Sequence, residues 1–385
     1  MPLSDSNAER SAWTGWVVLF LVTAAIIASG SGRTVVPAYR EGAVYWMAGK
    51  TIFAHPGVGG FVYLPQAAVL FIPFALLPVV AGEVLWRLVN IGVFAFGIFH
   101  VAGLVRGNSG KALFPLMTLV TLPLAWDCAR NGQATLIITG LMLLAVVDIV
   151  RARWWRVVLW LCLGVAVKPL VIVLALLVMV IDRPLSWRLP VGMLVTALFP
   201  FLTQHPGYVL EQYAAFWSSL TKAVHVGAVD KGWTTPFNAL QLAGVSVPEK
   251  LQTLLRIAAA FGTLVLCWLS RRRHDAVRSA VFVFSLSVAY LMLFSPRTEN
   301  NTYAMLGPAI AVFLAAAYLI EQQRGEGLLL SCMAGAILGG RVIERVLTPH
   351  AVTSWVSPLM AVCFTAYLLV RFFRDMREAR QQEQR

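Results

Sequence analysis

Apolar residues in this chain come in long continuous runs, with no strict alternation. They occur at Trp13–Gly30, Leu64–Leu77, Val84–Val105, Ala112–Trp126, Ala134–Val150, Val157–Val167, Leu170–Ile181, Leu189–Leu202, Leu251–Leu269, Ala280–Phe294, Tyr303–Ile320, Leu328–Val342 and Val352–Val370. Uninterrupted runs of this kind predict helices, not half-buried strands. A helix needs about 20 apolar residues to cross a bilayer, with about 17 as the usual minimum. Several of these runs are shorter, so tilt, local thinning or partial insertion is built into the expectation. Trp13–Gly30 is long for the core of a secretory signal and is followed by further spans. It is therefore read as a retained first helix.

The polar positions between the runs set the topology. Arg106 and Lys111, the Arg151/Arg153/Arg156 turn, Arg183 and Arg188, the Arg271–Arg273/Arg278 turn and the tail from Arg371 are strongly basic. Basic short loops face the cytoplasm. All of these can do so only if Leu64–Leu77, punctuated by Pro65, Pro73 and Pro78, fails to cross completely. Proline inside a helix removes a hydrogen bond and bends the chain, so a re-entrant or interfacial segment is expected there. The sequence thus predicts an all-α polytopic bundle of about twelve spans with both termini cytoplasmic. A version in which Leu64–Leu77 crosses and Val157–Ile181 is one helix gives the same count, but leaves Arg151–Arg156 outside. The whole chain, 1–385, reads as one integral membrane domain. It has a first outer loop at 32–63, a large outer loop at 203–250 and a cytoplasmic tail at 371–385.

Composition agrees with the pattern. The chain is 59% hydrophobic and 13% charged, and its mean hydropathy is +0.74. Soluble domains carry roughly a quarter charged residues. The net charge of +13 lies in the cytoplasmic turns, which removes nucleic acid as the partner it would suggest in a soluble chain. The five cysteines have no zinc or redox spacing, and no metal-ligand cluster, Walker loop, nucleophile elbow or dinucleotide fingerprint is present. No metal or cofactor is expected.

With this topology the unusual polar residues share the outer face. The first outer loop carries Arg40, the single acid Glu41 and Tyr45, then Tyr63 and Gln66. A second turn, W-D-C-A-R-N-G-Q, holds Asp127, Arg130, Asn131 and Gln133. Lys168-Pro169 interrupts an apolar stretch, and S-P-R-T-E-N-N-T-Y carries Arg297, Glu299, Asn300 and Tyr303. Ionisable groups near membrane depth are costly and tend to face a cavity or a partner. Lys168 either snorkels to the outer interface or binds a phosphate or carboxylate. Arg297 either pairs within its own turn or clamps a phosphate. Glu41 is a general base, a solvated charge or the partner of Arg40. Asp127 with Arg130 reads equally as an ion pair at helix ends.

Several pieces in order resemble glycosyltransferase family 87. They are E-G-A-V-Y at Glu41–Tyr45, then V-Y-L-P-Q-A-A-V-L-F-I-P-F-A-L-L-P at Val62–Pro78, L-W-R-L-V-N at Leu85–Asn90, N-G-Q at Asn131–Gln133 and G-V-A-V-K-P at Gly164–Pro169. The family acid is usually Asp, and here the position is Glu41. The resemblance implies a GT-C-like bundle in a bacterial inner membrane. It also implies inverting transfer of a sugar from a polyprenyl-phosphate donor to a lipid or glycan acceptor, in cell-envelope chemistry. Glu41, with Asp127 as the second catalytic candidate, would act on the acceptor hydroxyl. Lys168, Arg297, Arg40 and Arg130 would meet the donor phosphate. Tyr45, Tyr63, Gln66, Asn131, Gln133, Glu299, Asn300 and Tyr303 would bind substrate. A lipid-substrate transporter or flippase and a non-catalytic membrane scaffold are the competing readings, and the sequence does not give the oligomeric state.

Overall fold

A computed structural model describes residues 5–30, 32, 34–55, 60–107, 109–225, 234–295, 298–348 and 354–383. Among them every regular element is helical. Eight helices are long and apolar enough to cross a membrane, and four shorter apolar helices accompany them. The expected count of about twelve is not reached on length alone. The chain divides into two compact units, one of residues 1–101 and 125–226 and the other of 102–124 and 227–385.

The first unit is built on α1 (Asp5–Ala28), α2 (Val36–Met47), α3 (Pro65–Ala75), α4 (Val79–Arg106), the end of α5 (Phe114–Asn131), α6 (Thr135–Val150), α7 (Trp154–Val167), α8 (Ile172–Ile181), α9 (Leu185–Leu198) and α10 (Pro206–His225). Ring contacts fix the helix directions. Trp13 meets Phe99 at 5.6 Å and Trp16 meets Phe94 at 5.7 Å, so α1 and α4 are antiparallel. The α2–α3 segment therefore leaves and returns at the same end of that pair. At about 1.5 Å per residue, the 11 residues of α3 extend about 16 Å, half of a ~30 Å hydrocarbon core. Its prolines stand at Pro65, the first residue of α3, and at Pro73 inside it.

Helices α4 and α6 run parallel and touch backbone to backbone. A Cβ on Gly140 would lie 2.4 Å from the Val93 carbonyl oxygen, and one on Gly97 would lie 2.8 Å from the Gly140 oxygen. Trp155 packs on Trp187 at 5.6 Å, and Gly192 lies against Val158 and Cys162, so α7 and α9 are also parallel. The α8 leg between them must run back. The Arg151–Arg156 turn and the Arg183–Arg188 turn consequently lie at one end, with Arg188 over the rings of Trp155 and Trp187. Buried Asp148 anchors that end by accepting from Arg156 at 3.0 Å and from Trp160 at 2.8 Å. The break at Lys168, whose backbone is extended at φ −151°, lies at the opposite end. So do the start of α2, the start of α4 and the 130–135 turn.

The stretch expected as a large outer loop contains α10 and, in the second unit, α11 (Pro236–Leu242). Helix α10 buries Val209, Gln212 and Phe216 and exposes Leu210 and Trp217. The second unit continues with α12 (Glu249–Arg273), α13 (Ala276–Phe294), α14 (Leu306–Leu319), α15 (Arg324–Leu347) and α16 (Val356–Glu383). Arg371 of α16 pairs with Glu321 and Glu326, and His274 stands edge-on to Phe372 at 5.4 Å. The α12–α13 turn, the α14–α15 turn and the basic half of α16 therefore share one end of that unit.

Candidate active site

Helix α2 presents two faces. Pro37 sits in its first turn, where the missing N–H is not needed. The chain leaves it through Gly49 at φ +65°. Tyr39, Ala43 and Trp46 form the buried stripe. The opposite face, with Arg40, Glu41, Val44 and Tyr45, lines a cavity of about 330 Å³ whose other walls are Phe71 and Phe74 of α3 and Val79, Gly82 and Glu83 of α4. Arg40 does not pair with Glu41. Its Nη1 donates to the carbonyl oxygens of Leu77, at 2.9 Å, and Phe74, capping the end of α3. Such capping by a basic side chain suits the negative end of a helix. Glu41 instead takes His55, Nδ1 to Oε1 at 2.7 Å. The Tyr45 hydroxyl also hydrogen-bonds to Glu41, and this bond, more than burial, pushes the phenol above its ordinary pKa.

Beneath the cavity lies a polar latch. Arg87, fully buried, donates to Glu83 Oε2 at 3.0 Å, to Thr34 Oγ1 at 3.1 Å and to the Arg130 carbonyl at 2.8 Å. Trp86 Nε1 donates to the Gly132 carbonyl at 2.7 Å. Asn90 donates to the Gln133 carbonyl and accepts from the Ile137 backbone N–H, both at 2.6 Å. Gly132 has φ +67°, and a Cβ there would strike Val36 at 2.5 Å. Only glycine fits such a backbone cheaply. The L-W-R-L-V-N and N-G-Q segments thus grip each other, and Asn131 accepts the Val35 N–H through its carbonyl at 3.0 Å.

Lys168 lies at the same end but does not line the Glu41 cavity. Its Nζ donates to Thr135 Oγ1 at 3.2 Å, at the start of α6. Asp127 and Arg130 approach to 3.5 Å as a local ion pair. Tyr63 shares a hydroxyl hydrogen bond of 3.1 Å with Tyr39, and Gln66 donates to Thr196 and Tyr213. These contacts hold the wall between α3 and its neighbours. Gln133 receives the Cys128 thiol at 3.8 Å.

The remaining expected residues belong to the second unit. Asn300 accepts from Ser354 and Ser357, the carbonyl of Glu299 accepts from the Thr302 N–H, and the buried Tyr303 hydroxyl donates to the Thr234 and Met292 carbonyls. Arg297 lies outside the described residues. Among the described residues no group of three or more His, Cys, Asp or Glu side chains could hold a metal ion.

Sequence reasoning missed His55, Thr34, Glu83, Arg87 and Asn90. A signal existed for one pair: Glu83 and Arg87 stand i, i+4 within an apolar run, the spacing of a helical ion pair. His55 gave none, because it lies in a loop 14 positions from its partner on α2.

The chain matches no curated protein significantly. The family model for glycosyltransferase family 87 matches residues 61–296, more than half of the chain. The matched part holds Glu83, Arg87, Asn90, the N-G-Q turn and Lys168 and begins after Glu41. With this match laid on a multi-helical apolar fold, the chain belongs to glycosyltransferase family 87, a family of membrane glycosyltransferases.

Proposed function

We propose that the protein transfers a sugar from a polyprenyl-phosphate donor to a hydroxyl of a lipid or glycan acceptor, with inversion, as a GT-C-type enzyme. The observation that carries this reading is the position of Glu41 on a cavity with mostly apolar walls. Val44 and Val79 on those walls are 41% and 55% exposed. A carboxylate beside an apolar opening suits a substrate that arrives through lipid. The basic turns of this unit lie at the other end, which by the inside rule supports a cavity on the non-cytoplasmic side; the reading takes the membrane as a bacterial inner membrane with both termini cytoplasmic. Gathering the unit's unusual polar groups at one end suits an enzyme better than a two-sided transporter.

In the proposed step the Glu41 carboxylate takes the acceptor hydroxyl's proton as that oxygen bonds to the anomeric carbon. The bond from that carbon to the phosphate oxygen breaks, and polyprenyl phosphate leaves with the electron pair. Arg40 lines the same cavity. A guanidinium has five donors, and the recorded bonds to α3 use only Nη1. Arg40 is thus the cation nearest to hand for the leaving phosphate. Lys168, Arg130 and Arg297 are the further cations of this reading. With protein cations carrying that charge, the step needs no metal.

The test is transfer of labelled sugar from a panel of polyprenyl-phosphate donors by the protein in membranes, comparing wild type with Glu41→Gln. Loss of a general base costs about 10²–10⁴-fold. Equal rates in the two would remove Glu41 from the role.

A further inference from the structure

Glu83 lines the same cavity as Glu41, yet its surroundings are of another kind. Glu41 stands at the opening with a third of its side chain exposed, whereas Glu83 is buried, 6% exposed. Its charge is balanced by the fully buried Arg87, and Thr34 Oγ1 donates to it at 3.1 Å. Both of these hydrogen bonds fall on Oε2. A carboxylate has about four lone-pair sites on its two oxygens, so Oε1 keeps its accepting capacity at the cavity wall. The pair with Arg87 and the Thr34 hydrogen bond hold the group in one place. An immobile carboxylate accepts hydrogen bonds from neutral hydroxyls and repels phosphate.

The cavity is therefore polarised, with Arg40 for an anion and Glu83 for a group rich in O–H donors. We propose that Glu83 is a sugar-binding, specificity-determining residue that accepts hydrogen bonds from hydroxyls of the transferred sugar. It selects neutral polyhydroxylated sugars and rejects uronic acids, whose carboxylate it would face. This rests on the transfer reading above. Glu83 is distinct from the base in that reading, because it never takes the proton.

The experiment measures kcat/KM for the parent donor sugar, its singly deoxygenated analogues and its uronic acid counterpart, each carried on polyprenyl phosphate. Hydrogen bonds to charged groups are strong enough that the wild type should prefer the parent over one deoxy analogue by roughly 10- to 100-fold. In the double variant Glu83→Gln with Arg87→Met, which leaves no lone buried charge, this preference should collapse toward unity and the uronic acid should gain. Glu83→Asp keeps the charge for Arg87 and withdraws the carboxylate by one methylene. It should lower the same ratio with the fold intact, and so decides the matter should the double variant fail to fold. A uniform fall across all donors, with the ratios unchanged, would reduce Glu83 to a structural partner of Arg87 and overturn the proposal. A wild type that transfers none of the sugars would instead remove the transfer reading itself, and this proposal with it.

Discussion

Asn90→Ala cuts the grip between α4 and the start of α6 at its centre. Asn90 is 1% exposed and holds two backbone groups at 2.6 Å, the Gln133 carbonyl and the Ile137 N–H. The Ile137 N–H lies in the first turn of α6, where no carbonyl of the same helix can reach it. Truncation leaves one donor and one acceptor stranded in an apolar interior. Each such orphan costs about 1–3 kcal/mol, while hydrogen bonds measured within membranes average nearer 0.6 kcal/mol because the unfolded chain also finds partners. The two ranges together set the loss at about 2–4 kcal/mol. In detergent this corresponds to a fall in Tm of roughly 5–10 °C. Hydrogen exchange should rise across residues 134–138 and leave α1 unchanged. Asn90→Asp keeps the acceptor for the Ile137 N–H and loses only the bond to the Gln133 carbonyl, so exchange at Ile137 should stay near wild type while Tm still falls. A Tm within about 1 °C of wild type for Asn90→Ala would show that the 130–137 turn holds itself, and the latch described above would fail.

Three other outcomes follow from the same geometry. Gly140→Val places side-chain carbon against the Val93 carbonyl and the Phe94 Cα at 2.4 and 2.8 Å; backbone cannot yield, and stability should drop by about 2 kcal/mol or more, whereas Gly92→Ala, with nothing within 4 Å, should be neutral or stabilising by thermal melt. Lys168→Met should lower transfer by about 10- to 100-fold if the ammonium neutralises the leaving phosphate, and unchanged rates would mark it as an interfacial anchor. Burial pushes the Tyr208 and Tyr213 phenols up to about 12. The fold favours their neutral forms, so their contribution is intact below the ordinary tyrosine value near 10 and is lost as pH climbs from there toward 12. Absorbance at 295 nm should show these two titrating late, and ionisation near pH 10 in the folded protein would contradict the buried setting.

The sequence made the helices legible because bilayer burial leaves long apolar runs, and the ends legible because arginine marks one side. That the apolar run at α3 is interrupted was legible from its three prolines, and the structure gives it a helix of only 11 residues. The break at Lys168 was visible as a charge and a proline inside an apolar run. Less was legible at the site. Glu41 could be named as an unusual acid, but its partner His55 comes from a loop position that no periodicity links to it. Arg40 looked like a neighbour for Glu41, yet the carbonyls at the end of α3 won it, because unsatisfied helix ends need a donor. Arg87 read as part of the L-W-R-L-V-N motif, whereas Glu83 was not singled out. What they hold, the Arg130 carbonyl and Thr34, is known only once α4 meets the 130–135 turn. The helix α10 was hidden within an aromatic-rich connection, although Val209, Gln212 and Phe216 carry the spacing of one buried face.

The hairpin around Lys168 has a consequence for how the protein is made. Its legs, 14 residues in α7 and 10 in α8, rise only about 21 and 15 Å. Neither is long enough to be handed to the bilayer as a separate crossing segment. In the proposed topology the two legs would be inserted together, with the lysine at the leading tip. That tip finds its first internal partner at Thr135, which has already been synthesised when Lys168 emerges from the ribosome. A ribosome-bound nascent chain ending shortly after residue 168 would hold only one leg, and the second leg would complete the insertion. In that topology the unit of membrane integration is the hairpin.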